Sequence, residues 1–421
     1  MNSNAAPHAY LVGIGAGQVT SLTAEAKKII ESATLVCGAK RILESVKNIV
    51  HGNTFDSYDS EEILKKFEEE ESSKKNALPV AIFSGDTGFF SGCSKLTRLL
   101  EEKKWAVHVI PGISSVQYFA SRLKKNWQDW KLASAHGTDC NIGVELTFSK
   151  SVFFLTGGKI SAKTIVRFVN QNEIPAKIFV GSDLGYQTEK ITEFSTLDES
   201  GKNQICDWLD SSEEEKLSVV LVEQTDFAEK SCLNIKDEDF LRVEKVPMTK
   251  RLVRSAIIAL LGAKNDETIW DVGCGSGAVS IELSRSAKCT VYGVEHNKAA
   301  YELEKQNRRK FAVWNLNLVF GEASESVKNL PAPDAVFIGG SEGKLDKIID
   351  EVILKNPRAR ILISSVTLET LSLSQEIATK KNLQIEVSQL AVAKSALLGT
   401  HHLLRAENPI CLILLTPGKN I

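Results

Sequence analysis

The sequence predicts an α/β protein built as two successive domains, and three observations carry that reading. Short apolar runs alternate with helix-like stretches along nearly the whole chain, the pattern of mostly parallel sheets. Glycine-rich loops follow several of those runs in both halves, at the strand ends where open α/β sheets bind ligands. A length of 421 residues suits two domains or more. Hydrophobic residues make up 43% and charged residues 25%, as in ordinary globular protein. No run approaches the roughly 20 apolar residues of a membrane span. The start, MNSNAAPHAYLVGIG, has neither the basic opening nor the apolar stretch of a signal peptide. The eight cysteines show no C-x-x-C pair and no metal-like spacing with histidine. Reduced thiols, a cytoplasmic location and no metal site are therefore expected.

In chain order, residues 10–14 form an apolar strand running into a loop with Gly13, Gly15 and Gly17. Thr23 is placed to cap the helix that follows. Residues 35–38 read as a second strand. Residues 60–75 read as a solvated helix with Ile63, Leu64 and Phe67 on one face. The strand at 80–83 delivers the segment 84–92, whose Gly85 and Asp86 make a candidate ligand loop. The strand at 107–110 leads to Ser114 and Ser115 at a helix start, where hydroxyls cap the helix or meet a ligand. Residues 217–223 read as the last strand of this half. The polar stretch from 225 to 246 reads as a linker, with its core at 226–235.

An amphipathic helix opens after residues 247–251, with Val253, Ile257, Leu260 and Leu261 inward. The central feature of this half is TIWDVGCGSGAVSIELSRSAKCTVYGVE, residues 268–295. It reads as strand, glycine turn, helix, and a second strand ending on Glu295, one half of a nucleotide-binding unit. Two ligands suit it. With Ala278 as the last small residue it is the G-x-G-x-x-A of nicotinamide dinucleotide oxidoreductases. With Gly277 it is the G-x-G-x-G of S-adenosylmethionine methyltransferases. Asp271 favours the second, because a carboxylate there repels a pyrophosphate and suits a cationic sulfonium amino acid. Glu295 stands where a carboxylate accepts both ribose hydroxyls. Further strands are expected at 316–320, 335–338, 361–365, 384–392 and 410–416, giving seven with a late long pair.

The net charge of −2 conceals an asymmetry. Residues 241–421 carry 24 Lys and Arg against 19 Asp and Glu, while the rest carry 27 against 34. A mildly basic second half suits an anionic small molecule and is too weak to indicate nucleic acid. Candidate cations are Lys250, Arg251, Arg254, Lys394, His401, His402 and Arg405.

The motifs VGIGAG, SGDTGFFSG and PGISS resemble the tetrapyrrole methylase family, and SAHG, LTGG and DLGY are similar to its second lobe. SGDTGFFSG and WQDWKLASAHG point to the corrin C5-methylating branch. This resemblance spans residues 8–225. Ala16 departs from the family's usual proline, and Thr138 from a common basic residue. PMTKRLVR, WDVGCGSGAVSIE, FIGGS, VTLE and LLGTHHLLRAENP resemble the decarboxylating C15-methyltransferases of corrin synthesis, over residues 236–416. The order of the halves resembles the fused bifunctional precorrin-6Y methyltransferases. The resemblance implies a two-lobed tetrapyrrole methylase fold followed by a class I Rossmann-like methyltransferase fold, residues 236–421. It implies one S-adenosylmethionine per domain. That cofactor would be held by Gly13, Gly15, Gly17, Gly85, Asp86, Ser114 and Ser115 in the first domain. In the second it would meet Thr249, Gly273, Cys274, Gly275, Ser276, Gly277, Glu295 and Ala323. The implied reaction methylates carbons 5 and 15 of a precorrin, with or without cobalt, and removes the ring C acetate. Lys394, His401, His402 and Arg405 are the expected catalytic group. The expected partner is the anionic tetrapyrrole, with no nucleic acid or membrane, and the expected assembly a homo-oligomer.

Overall fold

The computed structural model describes residues 6–135, 140–211, 217–227 and 233–418. Two compact units divide the chain: residues 1–140 with 151–225, and residues 141–150 with 226–421. His136, Gly137 and Thr138, and residues 228–232 of the expected linker, lie outside the described residues.

The first unit contains two five-stranded sheets. β1 (His8–Gly13), β2 (Leu35–Gly38), β3 (Asn53–Asp56), β4 (Pro79–Phe83) and β5 (Ala106–Ile110) form the first, in the order β3-β2-β4-β1-β5. All its pairings are parallel. Strands flanked on both faces by helices must be apolar throughout, and β2 and most of β1 and β4 are buried accordingly. β3, with the polar sequence NTFD on the sheet edge, is the strand of this sheet that the sequence reading missed. The helix Ser60–Ser73 buries Ile63, Leu64 and Phe67 and is capped by Asp59. The second sheet holds β6 (Lys131–Ser134), β7 (Ser151–Leu155), β8 (Ala176–Ser182), β9 (Lys190–Ser195) and β10 (Ser218–Gln224), ordered β6-β7-β10-β8-β9. Only β6 and β7 pair in parallel there.

The second unit is built on one seven-stranded sheet. Its strands are β11 (Thr268–Val272), β12 (Thr290–Glu295), β13 (Leu316–Phe320), β14 (Ala335–Ile338), β15 (Arg360–Ser365), β16 (Leu383–Leu390) and β19 (Ile410–Pro417). The order is β13-β12-β11-β14-β15-β19-β16, with β19 antiparallel between β15 and β16. The sheet therefore reverses direction of growth beside β11, which creates a crevice at the carboxyl ends of β11 and β14. Where the sequence reading left a connection, β17 (Ala393–Leu398) and β18 (His401–Ala406) form a separate two-stranded ribbon.

The stretch read as linker ends earlier than expected. Asn234 and Ile235 donate their amides to the two oxygens of Glu282, at 3.0 and 3.1 Å. Arg254, completely buried, donates Nε to Glu282 at 2.8 Å and Nη1 to Asp237 at 2.9 Å. It also reaches the Ile235 and Thr249 carbonyls and stacks on Phe240. Burial of these charges is tolerable only because every one is paired. Arg254→Ala would leave Glu282 buried without its cation and should destabilise the second unit by about 3–5 kcal/mol. Hydrogen exchange of the β11 and β12 amides would report the loss, and unchanged protection would refute the pinning.

Candidate active sites

In the first unit, three loops meet at the carboxyl ends of β1, β4 and β5. Gly15 and Gly85 exchange backbone hydrogen bonds at 3.0 and 2.9 Å, which locks the first two loops together. Asp86 fastens the third, for its Oδ1 accepts from the Gly112 amide at 3.1 Å and its Oδ2 from the Gly88 amide at 2.9 Å. Ser114 is buried and spent on a capping box with Gln117, so its hydroxyl serves the helix start. Ser115, one residue on, lines the cavity with Gly15, Gly85 and Asp86. Opposite them stand Leu155, Thr156 and Leu184 of the second lobe. Gly13 and Gly17 shape the first loop without lining the cavity.

The second unit opens a cleft at the crevice beside β11. Gly273, Gly275, Glu295, Ala323 and Gly340 line it. Glu295 is nearly buried, its Oε2 accepting from the Gly275 amide at 2.9 Å and its Oε1 from Asn297 at 2.8 Å. Oε2, with this one partner, keeps a lone pair, so the carboxylate is aimed and still able to accept. A side chain at Gly340 would meet nothing within 4 Å, which leaves the far wall open. A narrower recess behind the loop contains Thr249, Asp271, Cys274 and Ser276.

Beneath the loop lies a buried acidic cluster. Asp271 Oδ2 accepts from the Ser280 hydroxyl at 2.5 Å, and Glu304 Oε2 accepts from the Cys274 thiol at 2.9 Å. Asp271 Oδ1, Glu304 Oε1 and the Ser276 hydroxyl are buried without partners among the described residues. Burial pushes the Asp271 carboxyl up to about 7 and the Glu304 carboxyl up to about 8, and the neighbouring carboxylates add to both shifts. Gly277 makes room for Glu304. Its φ is +75°, and a Cβ there would sit 2.5 Å from Glu304 Cγ. A cation entering the recess beside Asp271 would meet an orphaned carboxyl oxygen.

The expected catalytic group lies elsewhere. Lys394 stands opposite Arg405 on the β17–β18 ribbon, and His402 and His401 stand opposite Leu397 and Leu398. All four residues are exposed, Lys394 pairs with Glu407, and none lines the described clefts. Arg254 is corrected from substrate contact to structural anchor, because its charge is consumed by Glu282 and Asp237. Arg251 is turned to Asn234. Residues the sequence reading missed are Arg41 in the first cavity, and Lys245, His296 and Glu342 in the second; Phe89, in the candidate loop 84–92, lines the first cavity too. His296 bridges Glu295 and Glu342, at 3.3 and 2.8 Å. Position immediately after a strand-terminal acid was the available signal for His296; Lys245 and Glu342 carried none. Among the described residues no helix is long and apolar enough to cross a membrane, and no cluster of three His, Cys, Asp or Glu could hold a metal.

Residues 8–200 match the model of the tetrapyrrole (corrin/porphyrin) methylases, and residues 243–416 that of the precorrin methyltransferase domain. The probable cobalt-precorrin-6B C(15)-methyltransferase (decarboxylating) of Pyrobaculum calidifontis is 37% identical over 182 residues, covering 42% of this chain and 93% of that protein. The precorrin-6Y C(5,15)-methyltransferase (decarboxylating) of a Sinorhizobium species is 28% identical over 372 residues, covering 86% of this chain and 85% of that protein. Fold and sites together define an enzyme of the methyltransferase class, with S-adenosylmethionine as methyl donor. The chain belongs to the decarboxylating precorrin methyltransferases of cobalamin biosynthesis, in their fused C5,15 form. The nicotinamide oxidoreductase reading finds no support among these relatives.

The acidic cluster sets a pH dependence. An acid whose pKa rises on folding favours the folded state while protonated and loses that advantage as pH climbs toward the folded value. The melting temperature of the second unit should therefore fall between about pH 4 and about pH 8 and level off above. Glu304→Gln should flatten the upper part of that fall, and a variant as pH-sensitive as the parent would exclude Glu304 as the source.

Proposed function

We propose that the chain methylates carbons 5 and 15 of precorrin-6Y, or of its cobalt counterpart, and removes the ring C acetate as carbon dioxide. The domain at 8–225 acts on carbon 5 and the domain at 236–421 on carbon 15, each with its own bound cofactor. The observation that carries this reading is the pair of separate clefts, each at the carboxyl ends of the parallel strands of its own sheet. The cofactor supplies an electrophilic methyl group on sulfur. The chain's own residues align, orient and exclude water, and alignment alone is worth about 7–11 kcal/mol. No protein nucleophile is needed, since an enamine-like meso carbon supplies the electron pair.

In the first domain Gly15, Gly85 and Ser115 hold the donor, and Asp86 keeps their loops in register. In the second, Glu295 takes the ribose hydroxyls and Asp271 faces the ammonium group. Decarboxylation belongs with carbon 15, on the ring flanking that bridge. As the carbon–carbon bond breaks, its electron pair enters the conjugated macrocycle, and a proton completes the methyl group left behind. Lys394, His401, His402 and Arg405 are the proposed cations and proton donor at the macrocycle's rim. The tetrapyrrole, and no nucleic acid, is the partner of a cytoplasmic homo-oligomer.

Calorimetry with S-adenosylhomocysteine should give two sites per chain, and a stoichiometry of one would remove a cofactor from one domain. Glu295→Ala should abolish methylation at carbon 15 and spare carbon 5, and Asp86→Ala the reverse. Mass spectrometry of the corrinoid products separates these outcomes, and equal loss of both methyl groups in either variant would argue against separable sites. His401→Ala with His402→Ala should keep cofactor affinity and lose release of carbon dioxide. Undiminished release would move the proton donor off the ribbon.

A further inference from the structure

One cation in the first cavity stands apart from the glycine loops that frame it. Arg41 lies in the first turn of the helix Lys40–Val46, just after β2, and reaches the cavity from the rim. Its Nη1 donates to the Tyr186 hydroxyl, and its Cζ lies 5.7 Å from the centre of that ring. Among the described residues no carboxylate pairs with it. An exposed arginine without an acid, held by a neutral hydroxyl in a cavity mouth, has its charge available to a ligand.

Tyr186 belongs to the segment after β8, on the lobe opposite Arg41, and its ring lies against Gly17. A Cβ at Gly17 would lie 2.5 Å from Tyr186 Cζ. A guanidinium carries five donors in a rigid fork. One directed to Tyr186 leaves an edge free for bidentate pairing with a carboxylate. The tyrosine hydroxyl, having accepted from Arg41, retains its own proton to donate. Beside this polar corner two aromatic side chains line the cavity. Phe89 and Phe90 pack edge to face at 4.8 Å, and Phe90 stays half exposed on a strained backbone with φ of +47°. An aromatic wall next to a lone guanidinium matches a flat ring system that carries acids on its periphery.

We infer that Arg41, held in place by Tyr186, binds a peripheral carboxylate of the tetrapyrrole and makes the first domain selective for acidic macrocycles. This rests on the methyltransferase reading above. The competing occupant of the same fork is the cofactor's own carboxylate, so the test must separate the two.

Full-length chain is assayed for methylation of precorrin-6Y at carbon 5, with products resolved by mass. Arg41→Gln should raise KM for the macrocycle about tenfold to a hundredfold, the range for losing a charged hydrogen bond. Arg41→Lys should fall between the two, because it keeps the charge and loses the fork. Tyr186→Phe should raise KM by a smaller factor. Methylation at carbon 15 should not change in any of them. S-adenosylhomocysteine affinity, measured in a Glu295→Ala background so that only the first domain reports, should stay within about twofold of the Arg41 parent. An unchanged KM for Arg41→Gln, or cofactor affinity falling by the same factor as KM rises, would overturn the assignment. A parent chain that transferred no methyl group to any tetrapyrrole would instead overturn the reading on which it rests.

Discussion

A carboxylate at a strand end, accepting backbone amides from two loops, is the constraint on which both sites depend. Asp86 draws the Gly112 and Gly88 amides together, and Glu295 does the same for Gly275 and Asn297. Loops rich in glycine lose more entropy on ordering than other segments. A charged acceptor that collects their amides offsets that cost with bonds about twice as strong as neutral ones. The two sheets differ in strand number, order and direction, yet each places such an acid at the same edge. Two different folds thus use the same local physics to hold their glycine loops.

The second unit adds a further layer beneath its loop. Gly277 allows the Glu304 side chain to lie against the backbone, and Glu304 in turn receives the Cys274 thiol. Carboxyl groups buried directly behind a glycine loop are costly to ionise. A positive ligand beside Asp271 relieves part of that cost.

Much of this was legible in the sequence, and the reasons are physical. Strands buried on both faces read as unbroken apolar runs, so β1, β2, β4, β11, β12 and β14 stand out. Glycine loops at their ends mark where the clefts open. β3 escaped because NTFD on an exposed edge carries no burial pattern. The ribbon β17–β18 escaped because neither of its faces packs into a core, so no apolar alternation marks it. Arg254 was misread for a different reason. Nothing in one dimension tells a buried arginine from a solvated one when its acids, Asp237 and Glu282, lie 17 and 28 positions away. Arg41 had a signal, a basic residue just past a strand terminus, but its meaning comes from Tyr186, distant in the chain.

The presence of a tetrapyrrole methylase domain and a precorrin methyltransferase domain in one polypeptide has a consequence for supply. Every ribosome that completes the chain produces one copy of each. Their ratio is fixed at translation and cannot drift with transcript level, codon usage or unequal turnover of separate subunits. A cell that needs more of either activity must make more of both.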